Sequence, residues 1–221
     1  MTSIALRHVV CDQAATLLYL ANQACIEFHV FLSRVGSLEC PDQVVTDFDP
    51  PGPEGLGDAR RCALWLRNLL AGELNLTCYV KTASGNGLHV HLPLNRRQDF
   101  EEARGFARDA ANVLAARHPG VVTTEPRKDA RGGRVYADVM RDSYAQTAVA
   151  PYSVRARPGA PVATPLLWEE AEDAGRLSPA RFTIRTIGER LAEVPDPRAG
   201  MSRHRYDVAT LRHRPAALAG E

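Results

Sequence analysis

Asp47 and Asp49 stand two residues apart in Val44-Val45-Thr46-Asp47-Phe48-Asp49, a segment whose β-branched and aromatic content predicts a strand. Side chains alternate along a strand, so both carboxylates leave one face while Phe48 points to the other. Two such neighbours repel unless a cation or solvent lies between them, and hard divalent ions such as Mg²⁺ and Mn²⁺ favour oxygen ligands of this kind. Pro50, Pro51, Gly52 and Pro53 stop the strand at once, which places the pair at a sheet rim. The spacing alone leaves a second reading open, an Asp-Pro turn preceded by an incidental Asp. Asp138 lies in Val135-Tyr136-Ala137-Asp138-Val139, where a charge among apolar neighbours is costly unless it is paired or on a metal. A third carboxylate converging on the first pair would complete a site for two ions ~3.5–4 Å apart acting on a phosphoryl group. A salt bridge to one of the many arginines accounts for Asp138 equally well.

Two further segments carry polar chemistry. In Lys81-Thr82-Ala83-Ser84-Gly85-Asn86-Gly87-Leu88-His89-Val90-His91, small residues let backbone N–H groups approach an anion, and the Ser84 hydroxyl can add a donor. His89 and His91 share one face of the strand that follows. Such a turn is also what an ordinary hairpin uses. In Tyr152-Ser153-Val154-Arg155-Ala156-Arg157, the two arginines alternate and reach the same side of an extended chain. They could clamp a triphosphate, or be solvated loop residues.

The composition sets limits around these candidates. The 221 residues are 45% hydrophobic and 24% charged, enough for one sizeable folded domain. The net charge of +1 excludes nucleic-acid binding through bulk charge, so any such binding needs a local patch. Lys81 and Lys128 are the only lysines among 27 basic residues; the rest are arginines, which bind phosphate in a bidentate way. Five cysteines, odd in number and without a Cys-x-x-Cys pair, predict reduced thiols and a cytoplasmic protein. The N-terminus has no signal pattern, and no apolar run approaches the ~18 residues of a membrane span.

The elements that must position these residues follow from periodicity. Asp12 is expected to cap a helix to about Asn22, with Leu17, Leu18 and Ala21 on its apolar face, and Cys25 to Leu32 suggests a strand carrying Glu27 and His29 at alternate positions. Ser37 to Gln43 reads as a connection. A helix is predicted from about Asp58 to Leu70, strands at Thr77–Thr82 and Leu88–Leu92 that form a hairpin, and a long helix capped by Asp99 and running to about Arg117. Val135 to Val139 reads as a strand and Pro151 to Pro165 as an extended ordered loop or a linker; Phe182 to Ile187 and a short helix to about Leu191 finish the folded part. Strands mixed with helices without strict alternation indicate an α+β fold. From about Asp196 the chain carries Arg203-His204-Arg205 and Arg212-His213-Arg214, either a basic arm for phosphates or a solvated terminus.

The segments Asp-Phe-Asp-Pro-Pro, Gly-Leu-His-Val-His-Leu-Pro-Leu, Val-Tyr-Ala-Asp-Val and Ala-Pro-Tyr-Ser-Val-Arg-Ala-Arg-Pro-Gly-Ala-Pro-Val-Ala-Thr-Pro-Leu occur in this order. Their order, from about Val10 to Met201, resembles the polymerase domain of bacterial ligase D, a branch of the archaeo-eukaryotic primase superfamily. The resemblance implies an α+β primase-like fold, with an RRM-like catalytic sheet and a second β-containing subdomain. It implies template-directed nucleotidyl transfer with NTPs or dNTPs on a DNA primer-template or broken ends, filling gaps in non-homologous end joining. Two Mn²⁺ or Mg²⁺ ions would serve it, and a separate DNA ligase and an end-binding protein are its candidate partners. Asp47, Asp49 and Asp138 match the metal-binding carboxylates; His29, His89, Arg141, Arg155 and Arg157 match nucleotide-site residues.

The chain also departs from the pattern. Relatives carry Lys-Thr-Ser-Gly-x-Lys-Gly-x-His, whereas positions 83 and 86 here are Ala and Asn, so Ser84 is the candidate substitute for the motif serine. Asp142 stands where relatives commonly have Asn and is expected to add negative charge near the site. Residues 1–201 are expected to form the catalytic domain, without an N-terminal portion that relatives have, and 202–221 a poorly ordered basic tail. The rival to an active polymerase is a catalytically weak relative that binds DNA ends or nucleotides as a repair accessory.

Overall fold

The computed structural model describes residues 7–83, 85–175, 177–178 and 181–211. Ten strands and six helices follow the chain: α1 (Ala14–Asn22), β1 (His29–Phe31), β2 (Ser33–Arg34), β3 (Ser37–Pro41), β4 (Gln43–Asp49), α2 (Leu56–Arg67), β5 (Tyr79–Thr82), β6 (Leu88–Pro93), α3 (Phe100–Arg117), β7 (Val122–Thr123), β8 (Val135–Asp138), β9 (Thr147–Val149), β10 (Pro165–Leu166), α4 (Trp168–Glu172), α5 (Ile187–Glu193) and α6 (Val208–Leu211). Six strands make the main sheet in the order β10-β5-β6-β4-β8-β7, antiparallel except for the β7–β8 pair. This mixed helix-and-sheet architecture is the α+β fold expected.

Alternation divides the sheet into two faces. Val44 and Phe48 of β4, Val80 of β5, Leu88, Val90 and Leu92 of β6, and Val135 and Ala137 of β8 bury themselves against Cys62 and Leu66 of α2 and Phe106, Ala110 and Leu114 of α3. The odd-numbered residues of β4, β5 and β6 therefore leave the opposite face. That face is partly covered by β1, paired with β9, and by the β2–β3 hairpin, through a small cluster of Leu32, Val45, Phe100 and Ala148. This is the second β-containing layer. Helix α3 begins where its sequence directs: the Asp99 carboxylate accepts the Glu102 N–H at 2.8 Å, and the Glu102 carboxylate accepts the Asp99 N–H at 3.2 Å.

Several expectations need correction. Ser37 to Gln43 is not a connection: β3 occupies most of it, because backbone pairing with β2 outweighs a polar composition. The segment from Phe182 is a turn: Thr183 makes an isolated bridge to Pro161, and the Thr183 and Thr186 side chains tie the turn that leads into α5. The expected strand from Cys25 shrinks to His29–Phe31. The apolar side of α1 is exposed, Leu17 and Leu18 included, with no partner among the described residues. Finally, 202–211 are not a loose tail. Tyr206 bridges Leu94 and its hydroxyl accepts the Thr77 N–H at 2.8 Å, while Val208 and Leu211 are buried in the main core. Arg212, His213 and Arg214 lie outside the described residues. Of the two readings of the proline-bearing stretch from Pro151, the ordered loop holds: it is docked where Thr164 donates its N–H to the Thr82 hydroxyl at 2.9 Å. Among the described residues no helix is long and apolar enough to cross a membrane.

Candidate active site

The register of the sheet sets four polar side chains in one row. Asp47 on β4 stands opposite His89 on β6 and, on its other side, opposite Asp138 on β8; His89 is in turn opposite Lys81 on β5. All four leave the face that α2 and α3 do not cover. The Asp47 Oδ2 is 3.3 Å from His89 Nε2. Two carboxylates directly opposite on adjacent strands oppose one another, and the row reflects it. Burial, and then the neighbouring Asp47 charge, push the Asp138 carboxyl above its ordinary value, although the Met140 N–H donates to it at 2.7 Å. Burial works to raise Asp47 as well, but His89, Lys81 and Arg141 together hold it below the usual range. Burial pushes the Lys81 ammonium down to about 7 against the pull of Asp47.

Around this row is a cleft of about 240 Å³, lined by His29, Asp47, Asp49, His89, Asp138, Arg141, Arg155 and Arg157, with the backbone of 85–87 at its edge. Every expected site residue among those described is thus brought to one place; Ser84 lies outside the described residues. His29 sits on β1 with its Nε2 3.5 Å from Glu27 Oε2. Arg155 donates from Nε to Glu27 Oε2 and from Nη1 to the Ala83 carbonyl, both at 3.1 Å, so its fork is held at the mouth of the turn. Glu27 also accepts the Ala156 N–H at 2.7 Å. Gly85 passes so close to Arg157 that an added Cβ would lie 2.8 Å from Nη1. A Cβ at Gly87 would lie 2.7 Å from the Phe48 carbonyl oxygen and 3.4 Å from Asp47 Oδ1. Gly87→Ala is accordingly expected to cost about 1–3 kcal/mol of stability and to displace Asp47, a loss that chemical denaturation measures directly.

Asp49 differs from its neighbours. It ends β4 half-exposed, and its Oδ2 accepts from Arg131 Nη1 at 3.1 Å. Arg131 is buried, donates to the carbonyls of Glu125 and Pro126, and lies over the Tyr136 ring at 4.1 Å. Among the described residues no three His, Cys, Asp or Glu side chains are gathered into a ready metal cage, and Asp49 turns toward Arg131. The donors nonetheless suit a hard divalent cation: they are carboxylate oxygens, and Asp47 and Asp138 stand opposite one another on adjacent strands.

Arg131, Lys81 and Glu27 are the site residues that sequence reasoning missed as participants. The alternation of Glu27 with His29 pointed to the last of them, and Lys81 opened a segment already singled out. For Arg131, before a Gly-Gly pair, no periodic signal exists.

Asp142 corrects an expectation. Its carboxyl is buried, away from the cleft; Oδ1 accepts the Val45 N–H at 2.8 Å, and Oδ2 has no partner among the described residues. Burial pushes this group well above the usual carboxylate range, so the protonated form is favoured and the expected negative charge is suppressed. A carboxyl whose folded pKa is raised stabilises at low pH, and that stabilisation is lost as pH rises through the folded value. Asp142→Asn, which keeps the acceptor for Val45, is therefore expected to raise the melting temperature above neutral pH by a few degrees, roughly 2–4 °C per kcal/mol. The advantage should vanish near pH 4, which thermal melts across pH would show.

The family model that matches the chain is the primase-polymerase domain of LigD, over residues 3–198. The bifunctional non-homologous end joining protein LigD of Bacillus subtilis is 34% identical over 185 residues, 83% of this chain and 30% of that protein. The multifunctional LigD of Pseudomonas aeruginosa is 32% identical over 203 residues, 91% of this chain and 24% of that protein. The chain thus spans less than a third of the curated relatives it matches. The polymerase domain of Mycobacterium tuberculosis ligase D, solved in complex with DNA, superposes with a TM-score of 0.77 at 27% identity, covering 90% of this chain and 73% of that one.

Proposed function

Because the chain belongs to the LigD primase-polymerase domain family, we propose that it is a metal-dependent nucleotidyl transferase that extends a DNA primer from NTPs or dNTPs during end-joining repair. The observation that carries the reading is the Asp47–Asp138 pair set in register at the centre of the sheet, facing a cleft lined by Arg141, Arg155 and Arg157. Carboxylates and guanidinium groups lining one cleft match an ion-bridged triphosphate.

Asp47 and Asp138 would hold Mn²⁺ or Mg²⁺, with Asp49 joining from its pair with Arg131. Once bound, such ions would supply activation of a primer 3′-hydroxyl and offset charge on the triphosphate. Arg155, pre-oriented by Glu27 and the Ala83 carbonyl, and Arg157, beside Gly85, take the phosphate oxygens and the charge that develops on the leaving pyrophosphate. His29 and His89 flank the incoming nucleotide. Filling of short gaps, with a separate ligase to seal them, belongs to the same reading.

One observation favours the rival reading of a weak accessory that binds DNA ends or nucleotides: Asp49 is held by Arg131 rather than turned to its partners. Nucleotide binding with and without Mn²⁺ separates the two. A transferase binds ATP more tightly with Mn²⁺ and loses that gain in Asp47→Ala; a metal-independent affinity unaffected by this variant would contradict the proposal.

A further inference from the structure

The largest cavity among those described is not the cleft. It measures about 420 Å³ and opens at the other end of β4, where Gln43 meets Pro93 of β6. Asp47 lies four residue steps along the strand from Gln43, ~13 Å along the sheet. Its charged lining is Arg34, Asp42, Arg96, Arg198 and Arg205, with His204 beside them.

The ion pairs of this lining are one-sided. Asp42 is matched by Arg34 at 2.5 Å. Arg96, Arg198 and Arg205 have no ion pair among the described residues. Arg198 is half-buried, and burial disfavours its charge; its guanidinium donates only to Met201 Sδ, at 2.9 and 3.3 Å, and weakly to Gln43 Oε1 at 3.4 Å. Gln43 Oε1 is already engaged, 2.9 Å from His91 Nδ1. The Asp196 and Asp42 charges favour the guanidinium from beyond ion-pair distance, and no carboxylate grips its fork among the described residues. Arg96 adds a second sign. It sits in the left-handed region at φ 61°, where a side chain of this kind is strained, yet its turn is fixed by the Arg97 N–H donating to Asn95 Oδ1 at 3.0 Å.

We propose that this cavity is a second phosphate site, separate from the catalytic cleft, in which Arg96, Arg198 and Arg205 bind the phosphate of a nucleotide unit. Its volume exceeds what one inorganic oxyanion needs and falls in the range of small-ligand sites. Three guanidinium groups with no ion pair among the described residues favour a phosphate, whose oxygens they can grip in pairs, over a neutral ligand. The phosphate can come from a free nucleotide or from the backbone of a nucleic-acid strand. The site does not depend on catalysis, so its test stands apart from the transferase reading.

The experiment is calorimetric titration of the full chain in EDTA, in an Arg155→Ala/Arg157→Ala background that disarms the cleft. The probes are AMP, adenosine, and a thymidine dodecamer without terminal phosphates. AMP or the dodecamer is expected to bind, adenosine not. Arg96→Glu/Arg205→Glu, both at exposed positions, should weaken binding by at least about tenfold, and Arg198→Lys should weaken it too. Binding of AMP alone assigns the site to free nucleotides; binding of the dodecamer alone assigns it to a strand. Binding of neither, affinity unchanged in Arg96→Glu/Arg205→Glu, or equal affinity for adenosine and AMP would overturn the proposal. Loss of primer extension with intact AMP or dodecamer binding would count against the transferase reading only.

Discussion

Asp138→Asn is expected to move activity and stability in opposite directions. In the metal-free protein it removes a carboxylate that stands opposite Asp47 on the neighbouring strand and that burial and that neighbour already push upward. Relief of like-charge opposition across two strands is worth up to ~1 kcal/mol, so the variant should melt slightly higher than the parent in EDTA. With Mn²⁺ the order reverses. A ligand at a hundred times its dissociation constant stabilises by about 2.7 kcal/mol, on the order of 5–10 °C for a chain of this length, and this gain should appear in the parent and be largely lost in the variant. Primer extension should fall by ~10³-fold, since a metal ion supplies several kcal/mol of transition-state stabilisation and each 1.36 kcal/mol is tenfold in rate. Differential scanning fluorimetry with and without Mn²⁺, beside a single-nucleotide extension assay, measures all three. A variant that is destabilised in EDTA and still shifted by Mn²⁺ would show that Asp138 serves as a structural acceptor for the Met140 N–H.

Arg155→Ala should lower kcat/KM for the nucleotide by ~10²–10³, the loss that follows removal of one aligned donor to developing charge. The side chain spans two anchors, Glu27 and the Ala83 carbonyl, so its fork is placed before substrate arrives. Arg155→Lys keeps the charge but not the fork; it can satisfy one anchor and should recover only a small part of the loss. Glu27→Gln tests the same arrangement from the other side. It removes the carboxylate that orients Arg155 while leaving every group in the cleft, so KM should rise more than kcat falls. Steady-state kinetics on the three variants distinguish a phosphate-binding Arg155 from one that merely ties the 151–165 segment to the core, for which the Lys variant would match the parent.

The residues of the site were legible in the sequence to the extent that strand alternation reaches. Asp47 and Asp49 on one face, His89 and His91 on one face, and Arg155 alternating with Arg157 follow from a period of two. What alternation could not supply is which strands are neighbours. That β4 runs between β6 and β8, so that Asp47 faces both His89 and Asp138, depends on long-range pairing that no local pattern encodes. Lys81 joins the row only through that register. Asp49 and Asp47 share a face as expected, yet Arg131 draws Asp49 aside from a loop with no periodic signal. The misread elements share a physical origin. β7 and β10 have two residues each and β9 three, too short to show a period, and β3 is held by backbone pairing rather than by composition. The residues 202–211 were read from their charges, whereas Tyr206, Val208 and Leu211, spaced among those charges, decide that they pack. Asp142 was read by charge as well; its burial disfavours the charged form.

The central claim is that Asp47, Asp49 and Asp138 support template-directed nucleotidyl transfer, and the measurement closest to it is primer extension on a short-gap DNA with Mn²⁺. NTPs and dNTPs are supplied separately, next to an Asp47→Ala/Asp49→Ala chain whose fold is checked by circular dichroism. The account predicts templated addition by the parent with at least one nucleotide class, dependent on Mn²⁺ and abolished in the double variant. A folded parent that binds the DNA and adds no nucleotide, or addition that persists in the double variant, would contradict it.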